Sequence, residues 1–212
     1  MAINPVLAQD STSGDLFPCP QGGEAFVLKR DAIDFEVTLP RGGKLKGRGC
    51  FYLSSIRIVF VALERSSRAD FKSFEIPLTA LRQQKFEQPI FGANYLSGIA
   101  FPLDGDPNGL LAGGAKFSLT FNHGGCGTFL PLFFQLLAER QQPVSSPGVT
   151  QAAQDGRLDQ VAFVDPSDPS TLYLSQPTAT PNSQQQTQFQ AFEQESGSAP
   201  PRQEGQQNCS IS

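Results

Sequence analysis

Tryptophan is absent from the 212 residues, and histidine and methionine occur once each. A lone histidine, His123, cannot build a multi-histidine metal site, and no acid stands at a spacing that would make it half of a catalytic pair. Cysteine is scarce as well: Cys19, Cys50, Cys126 and Cys209 are scattered and never form a Cys-x-x-Cys pair. Free thiols are therefore expected, with Cys50 and Cys126 buried as small apolar side chains. No apolar run approaches the roughly 20 residues a bilayer-spanning helix needs. The start, Met1-Ala-Ile-Asn-Pro5, has no basic stretch followed by an apolar one, and Ala2 stands where a myristoyl chain needs glycine. A cytoplasmic location is expected, with a nuclear one as the alternative. Excess positive charge is missing too: the net charge is −4, which gives no support to direct nucleic-acid binding. Without an acid, base, nucleophile or metal cluster, neither an enzyme nor a cofactor or metal site is expected.

What the chain has instead is phenylalanine, 18 of them, which must supply most of the aromatic core. Glycine (20) and proline (17) promise many turns or an unstructured segment. The composition changes at Pro143. Residues 1–142 carry 14 basic and 13 acidic side chains, whereas after that only Arg157 and Arg202 oppose seven acidic residues. The later part is rich in Gln, Ser and Pro, as in Gln184-Gln-Gln186, and holds little apolar surface to offset the entropy of ordering it. Three segments are expected: a flexible stretch 1–23, one domain over 24–141, and a disordered acidic tail over 142–212. One apolar island, Val161 to Leu174, interrupts the tail and suggests a short linear motif or a strand that docks on the domain.

Within 24–141 the dominant period is two. Ile33, Phe35, Val37 and Leu39 alternate with Asp34, Glu36 and Thr38, as in a half-buried strand. Cys50–Leu53 and Ile56–Leu63 look like a hairpin across Ser54-Ser55, and Phe71–Ile76, Leu81–Phe86, Tyr95–Phe101 and Phe117–Phe121 add four more strands. Then the period becomes helical. Phe129, Leu132, Phe133, Leu136 and Leu137 fall on one face, with Thr128 placed to cap the start, Pro131 in the first turn and Pro143 past the end. The order predicts a mainly β, pleckstrin-homology-like fold: a seven-stranded barrel-like sheet capped by one C-terminal α-helix.

At two places the residues resemble a known family. Lys46-Gly-Arg-Gly-Cys-Phe-Tyr-Leu-Ser-Ser-Ile-Arg-Ile-Val-Phe60 resembles the hairpin of GRAM domains, and Gln88-Pro-Ile-Phe-Gly-Ala-Asn-Tyr-Leu-Ser-Gly98 closely resembles the core of WW-domain-binding protein 2 and its relatives. The island with Asp165-Pro166, Asp168-Pro169 and Tyr173 is similar to the end of those proteins. The resemblance implies a GRAM module followed by a tail whose Pro-Pro-x-Tyr motifs bind WW domains, and a role as a transcriptional coactivator. The chain departs from that pattern: none of Tyr52, Tyr95 and Tyr173 follows a Pro-Pro-x step, so WW-domain binding by this route is not expected.

Two further features point to a membrane. Cys209-Ser-Ile-Ser212 fits a prenylation box whose final Ser favours a farnesyl group. Between Val37 and Leu63 there is no acidic residue, while Arg41, Lys44, Lys46, Arg48 and Arg57 are positive, four of them at or beside one hairpin turn. They are the candidate contacts for an anionic lipid or a protein partner. Together these features predict an adaptor that visits the membrane reversibly. The Gly42–Gly49 stretch lacks the ending of a phosphate loop, and His123-Gly-Gly-Cys-Gly127 is expected to be only a glycine-rich turn.

Overall fold

A computed structural model of the chain describes residues 1–10, 14–103, 109–141, 148–177 and 179–180. One compact unit runs from Met1 to Thr180. Its strands are β1 (Ala2–Ile3), β2 (Leu7–Asp10), β3 (Leu16–Pro18), β4 (Phe26–Thr38), β5 (Lys44–Ser54), β6 (Arg57–Ser66), β7 (Ser73–Pro77), β8 (Leu81–Glu87), β9 (Tyr95–Ala100), β10 (Ala115–Phe121), β11 (Ser170–Leu172) and β12 (Ala179–Thr180). The helices are α1 (Phe129–Gln141), α2 (Val149–Gln154) and α3 (Leu158–Val161).

The seven expected strands are present as one antiparallel curled sheet in the order β7-β6-β5-β4-β10-β9-β8, with α1 following the last of them. This is the mainly β, helix-capped arrangement the alternation predicted. Inward-facing residues of opposed strands fill the interior: Phe35 stacks on Phe60 with ring centres 4.8 Å apart, and Phe51 meets Phe129 of α1 at 5.1 Å. Phe129, Leu132, Phe133, Leu136 and Leu137 are all buried, so the helical face closes the sheet as the spacing required.

Gly49 lies in β5 where its register with β6 shifts. A side chain there would run into the backbone carbonyl of Val61, so only glycine fits. β4 bends at a bulge between Arg30 and Ile33, where Ala32 takes φ +55°. Residues Ile33–Thr38 pair with β10; before the bulge, β10 has ended and that edge of β4 is open to another strand.

Three expectations need correction. The described parts of the stretch 1–23, residues 1–10 and 14–23, are built into the fold: β1 pairs with β7, Met1 is buried, and Phe17 and Ala8 join a second apolar cluster with Phe26, Tyr52 and Val59. The domain also does not end at residue 141. Val149, Ala152, Ala153 and Leu158 of α2 and α3 enter the main core, and β11 pairs with β4 through Ser170↔Arg30, Thr171↔Lys29 and Leu172↔Leu28. Of the two readings of the island, its Ser170–Leu172 part takes the docked-strand form. Finally, Thr128 does not cap α1 with its own hydroxyl. That oxygen accepts from the Asp165 amide (2.9 Å), and the cap comes from Asp168, whose Oδ2 accepts from the Thr128 and Phe129 amides at 2.9 and 3.1 Å.

Candidate functional site

Of the five predicted cationic contacts, the structure brings four to one surface and removes one. Arg41 lies in the exposed turn between β4 and β5, while Lys44, Lys46 and Arg48 alternate outward along β5. Their charges are opposed at once. Lys44 reaches Glu36 at 2.6 Å, Lys46 reaches the other oxygen of the same carboxylate at 2.5 Å, and Arg48 lies 3.5 Å from Asp34. Hydrogen bonds from Lys44 and Lys46 hold the Glu36 carboxyl below its ordinary range. Lys46 and Arg48 line a shallow depression of about 690 Å³ with Asp34, Glu36, Ser118 and Thr120, where the two carboxylates oppose an anion. Among the described residues only Arg41 of this group has no ion-pair partner.

Arg57 is no surface contact. Its side chain is 3% exposed and donates to both oxygens of Glu24 (2.8 Å each), to Glu75 (2.8 Å) and to the Cys19 carbonyl (2.7 Å). Burial alone would lower its pKa, but the hydrogen bonds and charge of Glu24, with Glu75, raise it. Arg57 therefore pins the N-terminal segment to β6 and β7. The sequence hid this because both carboxylates lie far from Arg57 along the chain.

A different surface stands out. The turn joining β8 and β9 carries Ile90 and Phe91 at its tip, 93% and 92% exposed. Pro89 stiffens one side, Gly92 turns the chain at φ +113°, and the Asn94 carbonyl accepts from Phe121 at 2.8 Å, which ties the base of the turn to β10. Phe86 below it packs on the core, so the tip is a projection from a fixed base. Two adjacent large apolar side chains held in water forgo about 1.5–3 kcal/mol each of burial energy. These residues fall inside the Gln88–Gly98 segment singled out above, but composition gave no sign that they would be exposed.

The tip and the basic turn lie at opposite ends of the sheet. β9 begins at Tyr95, opposite Thr120, and ends at Ala100, opposite Ala115, while Lys116 pairs with Thr38 just before the Arg41 turn. Six residues of β9 separate the two ends by about 20 Å. One flat surface cannot readily engage both. The Cys209 box lies outside the described residues.

No protein-family model matches the chain. It is similar to a stress-induced protein of Schizosaccharomyces pombe, with 37% identity over 99 residues, 47% of this chain and 53% of that protein. WW domain-binding protein 2 of Mus musculus is 27% identical over 158 residues, 73% of this chain and 53% of the relative. The postacrosomal sheath WW domain-binding protein of Bos taurus is 34% identical over 139 residues, 62% of this chain and 41% of the relative. The chain spans about half the length of the curated relatives it matches.

Proposed function

The chain belongs to the WW domain-binding protein 2 family, and on that footing we propose that it is a non-enzymatic adaptor whose module binds a protein partner through the Ile90–Phe91 tip. The observation that carries this reading is the near-complete exposure of two consecutive large apolar residues on a fixed turn. A few buried anchors dominate the energetics of protein interfaces, and an aromatic beside a branched aliphatic is a suitable pair. The relatives are named for binding WW domains. This chain has no Pro-Pro-x-Tyr, so the partner is recognised by the folded module and not by that motif. The test is to place a photo-crosslinking side chain at Phe91 in cells and, as a control, at exposed Lys72. Discrete protein adducts from position 91 alone, abolished by Ile90→Asp, are expected. No discrete adduct at 91, together with co-sedimentation on neutral phosphatidylcholine vesicles, would replace the protein partner with a membrane.

The anchor reading attaches to the same adaptor. Farnesylation of Cys209 would give marginal, reversible membrane attachment, with Arg41 as the most available cation of the basic turn. Intact-mass measurement of the chain from a eukaryotic host tests it: an added isoprenoid is expected, and an unmodified mass would move the nuclear coactivator reading ahead.

A further inference from the structure

Residues Asp165–Gln176 lie along β4 as a peptide ligand lies along a domain that recognises extended chains. The backbone contacts do not depend on sequence: Ser170–Leu172 pair with Arg30–Leu28, and the Tyr173 amide donates to the Val27 carbonyl at 3.0 Å. Three side chains then fit three receptors. Asp168 enters a closed site, where it meets the guanidinium of Arg30 (0% exposed) and the amides of Thr128 and Phe129. Tyr173 packs its ring on Phe26 and Tyr52, with centres 5.8 and 6.5 Å away. Gln176 clamps Phe26 with both ends of its amide, accepting from the backbone nitrogen (2.6 Å) and donating to the carbonyl (3.1 Å), and reaches the Ala153 carbonyl at 3.1 Å. Main-chain pairing for affinity and pockets at intervals for specificity is the logic of strand addition to a sheet edge.

Most of the receptor is supplied by the rest of the domain. The Ala32 bulge ends the pairing with β10 and leaves Leu28–Arg30 as an open edge. Gly125 and Gly127 clear the path: a side chain at the first would strike the backbone of Ser167, and one at the second the carboxylate of Asp165. Arg30, wholly buried, demands an anion at that point of the path.

We propose that this surface is a peptide-recognition slot that the protein fills with its own chain, and that it accepts in trans an extended segment of another protein with the same chemistry: an aspartate, a tyrosine five residues later and a glutamine three residues after that. The slot is separate from the Ile90–Phe91 tip, so either can fail without the other. The covalent strap competes at an effective concentration in the millimolar range, and a free ligand enters only when the strap is weakened or displaced.

The probe is a fluorescein-labelled peptide of residues 163–177, followed by anisotropy. The full chain carrying Tyr173→Ala and Gln176→Ala keeps Asp168 and its ion pair, and is expected to bind the peptide at least about tenfold more tightly than the unsubstituted chain. Replacing the tyrosine in the peptide with alanine should remove that gain. A second form keeps the test decisive if the double variant does not fold: a protease site inserted between Phe163 and Val164, which are 71% and 57% exposed, and cut after folding. Excess peptide should then displace the cut strap. The proposal is overturned if the cut chain takes up the peptide no better than a scrambled control and any folded double variant does the same.

Discussion

Substituting Asp168 gives the sharpest test of how the strap is held. Its carboxylate accepts from Arg30, from the amides of Thr128 and Phe129, and from the Ser170 amide (3.0 Å) and hydroxyl (2.6 Å). Asp168→Ala removes all five at once and leaves a guanidinium inside the protein without its counter-charge. Removing one partner of a buried ion pair costs about 3–5 kcal/mol, and the helix cap adds about 1, although the two share a carboxylate and will not sum. Against a total stability of about 5–15 kcal/mol, that is a large fraction. With a urea slope near 2 kcal/mol per molar, the unfolding midpoint should fall by roughly 1.5–2.5 M. Asp168→Asn keeps an acceptor for the helix amides and should lose less. The control is the double-mutant cycle with Arg30→Met: in that background Asp168→Ala should cost at least about 2 kcal/mol less. A midpoint shift worth less than about 1 kcal/mol, or an additive cycle, would show that the pair does not hold the strap.

Other expectations follow from the same geometry. Leu136→Asp puts a charge into the fully buried contact between α1 and the sheet and should abolish cooperative thermal unfolding; an unchanged melting temperature would count against the helix as a plug. Gly49→Ala must push apart two paired strands and should destabilise by several kcal/mol, measured in urea, whereas Gly43→Ala meets no neighbouring atom and should show only the milder strain of its positive φ. Burial pushes the Cys50 and Cys126 thiols up to about 11, so both should resist iodoacetamide at pH 8 in the native chain and react after denaturation. Because their folded pKa lies above the unfolded one, the stability they contribute is present below pH 9 and is lost as pH rises toward 11.

The central strands and α1 were legible because each shows its period over enough residues to be unambiguous. β5 was seen only from Cys50 onward, since in Lys44–Gly49 the charges alternate with two glycines and a single apolar residue, Leu45, which offers little apolar signal. β1 to β3 are two to four residues long, too short to show a period, and their supports, the pairing of β1 with β7 and the bond from Arg57 to the Cys19 carbonyl just past β3, are not visible locally. The tail misled by composition. Four small apolar residues, Val149, Ala152, Ala153 and Leu158, cannot make a core, but they can join one that already exists. Charge sign alone nominated Arg57, and only the fold revealed Glu24 and Glu75 around it. Ile90 and Phe91 were in view throughout. Their role was not, because exposure is a property of the turn that carries them.

The distance along the chain between Arg30 and Asp168 also has a consequence for how the protein is made. Synthesis runs from the N-terminus, and 138 residues separate the two partners. At about 5–20 residues per second the wait is on the order of 7–28 s. Until Asp168 is made, the nascent chain holds an unneutralised guanidinium, the edge of β4 at Leu28–Arg30 has no neighbour, and α1, once its own residues are made, lacks its cap. A ribosome stalled short of Asp168 would therefore present an incomplete domain with an exposed strand edge, the kind of surface that chaperones cover and that neighbouring nascent chains can pair with.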